Sequence, residues 1–121
     1  MADKWQAQYN FWSGFGLTAY EENSVPTGDN RPSYPYLTYQ AVDAPFDEDT
    51  PVTASIWTQG YSWEQADQKA NDIMTALKNG GKVVGYDDGM IWVTADTVQS
   101  MGDPENDLIK RKLLTVTMHF A

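Results

Sequence analysis

Three acidic stretches and one imidazole hold most of the chemistry open to this sequence. Asp43, Asp47, Glu48 and Asp49 form one stretch, Asp87 and Asp88 a second, and Asp103, Glu105 and Asp107 a third. Paired carboxylates can ligate a hard cation or share acid-base work, and the third stretch alternates like the opening of a calcium loop. Its sixth position is Leu108, where glycine is needed, and its twelfth is Leu114, where a bidentate glutamate belongs. These carboxylates therefore read as solvated loop or interface groups. Asp87 and Asp88 read as turn residues before Gly89, because aspartate tolerates positive φ. His119 is the only histidine and cysteine is absent, so neither a zinc set nor a proton relay has a visible partner. Ser13, Ser24, Ser33, Ser55, Ser62 and Ser100 stand in no nucleophile-elbow context, and the glycines form neither a phosphate-cradling loop nor a dinucleotide turn. The expectation is a chain with no catalytic residue, metal or cofactor.

Aromatic surface is the other resource. Five Trp, seven Tyr and four Phe are many for 121 residues. Trp57 and Trp92 fall on predicted strands, where indole faces can stack on a sugar or a base. The same side chains serve cores and subunit contacts, where aromatics dominate. A formal net charge of -9 argues against a nucleic-acid surface, which needs clustered Lys and Arg to displace counterions from phosphates. The opening MADKW has no apolar signal region, and no run approaches the ~18 apolar residues of a membrane span. The expectation is an intracellular, soluble, single domain over residues 1–121.

The elements that must position these groups follow from periodicity. Val52, Ala54 and Ile56 alternate with Thr53, Ser55 and Trp57, which predicts a half-buried strand within Pro51 to Tyr61. Ser62 and Gln65 form a capping-box pair ahead of a helix to Leu77, with Trp63, Ala66, Ala70, Ile73, Met74 and Leu77 on the core face. Asn79, Gly80 and Gly81 stop it. Asp3 caps a short N-terminal helix with a stripe of Trp5, Tyr9 and Trp12, widened by Phe11 and Phe15. Strands are expected at Tyr36 to Val42, in a hairpin over Lys82 to Ala95 turning at the Asp-Gly pair, and at Lys112 to Phe120. Gly85 suggests a bulge or close backbone approach. Glu21 to Pro35, Asp43 to Thr50 and Ala95 to Asp107 read as loops, the last two mobile through acidic repulsion and flanking prolines. The resulting fold class is α+β in two layers: a largely antiparallel, four- to five-stranded sheet covered by the central helix plus the short N-terminal helix.

The stretches Phe11-Trp12-x-x-Phe15-Gly16, Ala19-Tyr20, Val25-Pro26 and Tyr36-Leu37-Thr38-Tyr39, with Asp103-Pro104, Asp107 and Arg111 before an alternating last strand, resemble the tail terminators of long-tailed bacteriophages and prophages. The resemblance implies a structural, non-enzymatic protein, made in the bacterial cytoplasm and carried in the virion neck. It implies a ring, typically a hexamer, that caps the tail tube, halts its polymerisation and meets the head connector, with DNA passing by unbound. Candidate interface residues are Asp47, Glu48, Asp49, Trp57, Trp92, Asp103, Glu105, Asp107 and Arg111. Another neck or tail component, or a small module that binds a ligand on an aromatic platform, is the alternative.

Overall fold

The computed structural model describes residues 3–121. Helix α1 (Lys4–Ser13) leads into β1 (Thr18–Glu21), a single 3-10 turn at Gly28–Asn30, β2 (Tyr36–Tyr39) and β3 (Glu48–Gln59). Helix α2 (Glu64–Ala76), β4 (Lys82–Tyr86), β5 (Gly89–Asp103) and β6 (Asn106–Phe120) complete the chain. The architecture is α+β, with one sheet in the order β1-β2-β3-β6-β5-β4. The sheet has six strands rather than four to five. The extra strand is β1, which pairs parallel to β2, Thr18 opposite Tyr36; all other pairings are antiparallel.

Both helices share one core with one face of the sheet. Val52, Ala54 and Ile56 from β3 and Leu114, Val116, Met118 and Phe120 from β6 are buried, as alternation requires. Ala66, Ala70, Ile73 and Leu77 of α2 lie over them. The helix begins at Glu64 with Trp63 as its N-cap; the Glu64 N–H donates to Ser62 Oγ at 3.0 Å, a local turn bond in place of the expected Ser62–Gln65 capping box. Pro51 sits inside β3 without disrupting it. Thr53 turns its carbonyl toward Gln40, so Pro51, two residues earlier, turns its missing donor the same way, past the end of β2.

Helix α1 packs on both outer strands, β1 and β4. In a flat six-stranded sheet those strands would stand about 24 Å apart, well beyond a helix diameter of about 10 Å. The sheet therefore curls around α1. The face that α1 buries is the predicted one only in part: Phe11 and Trp12 are inside as expected, but Ala7 and Gln8 join them, whereas Trp5 is 48% and Tyr9 41% exposed. Gln8 is the reason. Its amide donates to Val42 O at 2.8 Å and accepts from Val42 N at 2.9 Å, a strand-like pair made by a side chain. Trp12 stacks on Tyr39, and Lys82 Nζ lies about 6 Å over the rings of Phe11 and Phe15.

Two predicted loops are strands in part, Asp43 to Asp47 and the Pro104–Glu105 turn staying outside the ladders. Glu48 and Asp49 open β3, paired with Phe120 and His119, and Ala95 to Asp107 belongs to the long β5–β6 hairpin. In both places pairing with the neighbouring strand outweighs local charge and polarity, because it satisfies the main-chain donors and acceptors on the side that faces the ladder. Gly85 is paired regularly with Met90; the irregularity lies at Asp96, between Ala95 and Thr97. The glycines approached closely are Gly81 and Gly89, where a Cβ would strike the carbonyls of Val93 and Ala121.

Two substitutions test this packing. Ile73→Ala should lower the unfolding free energy by about 2–5 kcal/mol, as other large-to-small core changes do. Gln8→Leu keeps the bulk but strands two main-chain groups of Val42, each costing about 1–3 kcal/mol. Urea denaturation measures both, and a loss under about 0.5 kcal/mol, the surface range, would place either side chain outside the core.

Candidate interface

The register of β3, β6 and β5 carries the outward-facing side chains of the sheet into rows. At one end, Asp49 of β3 stands opposite His119 of β6, which stands opposite Trp92 of β5. At the other, Tyr36 of β2, Trp57 of β3, Arg111 of β6 and Met101 of β5 stand in one row. The bulge at Asp96 keeps Trp92 and Met101 on the same face, although an odd number of positions separates them.

The candidate residues therefore fall into three places. Asp47, Asp49 and Trp92 gather at the first row, around His119, whereas Glu48 stands opposite Phe120. His119 Nδ1 is 2.5 Å from Asp49 and Nε2 is 3.3 Å from Asp47, while its ring meets Trp92 edge-on at 6.4 Å. Trp92 Nε1 donates to Gly80 O at 2.6 Å, tying the row to the end of α2. These partners were invisible in the sequence, because 70 residues separate His119 from Asp49.

Trp57 and Arg111 belong to the second row. Trp57 stacks on Tyr36 with ring centroids 6.2 Å apart and planes 15° from parallel, and the Arg111 guanidinium lies 5.0 Å over the other side. Each polar tip is held: Trp57 Nε1 donates to Thr38 Oγ1 and Arg111 Nε to Ser55 Oγ, both at 2.9 Å. Tyr20 and Tyr34 extend the aromatic contacts of Tyr36. The row borders a cavity of about 230 Å³ whose rim includes Glu22 and Val25.

Asp103, Glu105 and Asp107 form the third place, at the tip of the hairpin. Asp103 Oδ1 accepts from the Glu105 N–H at 2.8 Å, and the Asp107 carbonyl accepts from Lys110 Nζ. Sequence reasoning missed Tyr36, Ser55 and Phe46 as interface residues. For Tyr36 and Ser55 the signal was their position opposite Trp57 and beside Arg111, which needs the register; for Phe46 it was a lone aromatic between prolines and acids.

Among the described residues no group of three or more His, Asp or Glu is placed to hold a metal ion, and no helix is long and apolar enough to cross a membrane. No protein-family model matches the chain, and no curated protein matches it.

Burial raises the phenol of Tyr36 above its ordinary value of 10.0, with the neighbouring Tyr34 and Tyr20 adding to the shift, and burial does the same to Tyr39. Both groups stay neutral in the fold while the unfolded chain ionises, so the stability they contribute is full below pH 10.0 and falls as pH rises beyond it. Urea midpoints measured across this range should decline, and Tyr36→Phe should flatten the decline. An unchanged slope in that variant would contradict the burial of the row.

Proposed function

We propose that this chain is a subunit of a phage tail terminator: copies join into a ring, six by the resemblance, that caps the tail tube, ends its growth and faces the head connector. The observation that carries the reading is the β5–β6 hairpin. Residues Ala95 to Gly102 are exposed without interruption, and β4 covers only Gly89 to Val93 of β5, so the edge from Thr94 onward has no strand partner among the described residues. From Thr97 to Gly102 that edge carries no charge and no proline, the devices by which free strand edges are kept from pairing, and it exposes Val98 and Met101. Such an edge suits addition to another chain. A strongly acidic surface lets DNA pass by repulsion, and the protein turns over no substrate in this reading.

A small ligand-binding module is the second reading, and the cavity beside Tyr36, Trp57 and Arg111 favours it. The two differ in what the protein does to tails. Deleting the gene from its phage should give overlong or headless tails in electron micrographs, and supplying the protein should restore them. Normal tails joined to heads in its absence would refute the terminator reading. Replacing Asp103, Glu105 and Asp107 together by alanine should change stability by less than about 1 kcal/mol, since exposed charges contribute little, while tail completion falls.

A further inference from the structure

How one subunit meets the next is written into the two ends of the β3–β6 ladder. At one end the chain turns through Pro45, Phe46, Asp47 and Glu48, with the Glu48 N–H donating to Pro45 O at 3.2 Å and Asp47 at φ 67°. The turn is pinned: Asp47 N donates to Phe120 O at 2.6 Å, and Asp47 and Asp49 flank His119. Phe46 stands at its apex, 80% exposed, between Pro45 and the carboxylates of Asp47 and Glu48.

At the other end lies the cavity beside Tyr36, Trp57 and Arg111. Its aromatic floor suits an aromatic ring. Arg111 spends only Nε on Ser55, and its terminal N–H groups have no acceptor among the described residues. A guanidinium held by stacking, with its fork open, is matched to a carboxylate. Glu22 on the opposite rim repels carboxylates from that side and so sets the direction of approach.

Phe46 cannot fill the cavity of its own chain. Glu48 pairs with Phe120, and Trp57 with Arg111 nine residues further along β3, a separation of about 30 Å. We propose that the Phe46 turn of one copy docks into the Tyr36–Trp57–Arg111 cavity of the next, with its ring entering beside Tyr36 and Trp57 and the Glu48 carboxylate on Arg111. The occupant is a second copy because this contact sets an unspent cation of one against the carboxylate that the other carries beside an exposed ring, a local attraction that acts against the repulsion between copies of charge -9. Two different surfaces meet, so the contact is head to tail, and its repetition closes a ring. The proposal rests on the terminator reading and specifies its junction.

Sedimentation of the full chain over a range of concentrations tests it. The unaltered protein should associate, and Phe46→Ser and Arg111→Glu should each weaken association by about tenfold or more, or 1.4 kcal/mol. Each variant keeps one intact surface, so an equal mixture of the two should form heterodimers and stop there. Adding Glu48→Arg to the Arg111→Glu chain restores opposite charges at every junction and should recover association. The heterodimer also shows that both variants fold, and Arg111→Gln provides a milder check. Association of either single variant at the unaltered strength, or closed rings from the mixture, would overturn the docking. So would a chain that stays monomeric up to about 1 mM, or one whose cavity retains a small anion instead; tail lengths would then decide the terminator reading separately.

Discussion

For α1 to touch both outer strands of a six-stranded sheet, Gln8 must be buried, and its amide satisfies itself on the main chain of Val42, 34 residues away. That pair fastens the β2–β3 connection beneath the helix, with Ala41, Val42 and Ala44 packed against the core. The remaining shape follows from it. With β1 and β4 drawn to one helix, the sheet curls, the apolar faces of β3 and β6 turn inward under α2, and the opposite face turns to solvent. The two aromatic rows lie on that outward face. The distal part of β5 extends beyond β4, outside the curl, which is why eight consecutive residues there meet solvent.

The same ladder places unlike chemistry at its two ends. Near Phe120 it carries carboxylates, an imidazole and the Phe46 turn; near Arg111 it carries stacked rings and a guanidinium. A monomer has no need of two such surfaces on opposite ends of one rigid element. A ring subunit does, because each copy must present one surface to its predecessor and another to its successor. In the proposed ring, electrostatics works on two ranges: net negative charge keeps free copies apart and leaves DNA unbound, whereas the local pairing of carboxylate and guanidinium acts only once the surfaces meet.

Much of the fold was legible. The alternation in Val52 to Ile56 and Leu114 to Phe120, the stripe from Ala66 to Leu77 and the turn before Gly89 each report a local periodicity that burial enforces. The failures have physical causes. Strand β1 is four residues long with one fully buried side chain, and its parallel pairing to β2 depends on a distant segment. Glu48, Asp49 and the Thr97–Gly102 stretch are polar strands held by ladder bonds, which composition does not announce. In α1 a buried glutamine turned the expected face, leaving Phe11 and Trp12 inside and Trp5 and Tyr9 exposed. Of the candidate interface residues, Trp57 and Arg111 came together and Asp49 found His119 and Trp92, but no pairing could be read without the register.

The central claim is that copies of this chain close into one ring at the head-proximal end of the tail. Averaged electron images of isolated tails carrying a tagged chain measure this directly. The account predicts labelled density at one end only, as a closed ring whose neighbouring subunits bring the Phe46 turn of one against the Trp57 and Arg111 row of the next. Label spread along the tube, label at the distal end, or tails that complete without any label would contradict it.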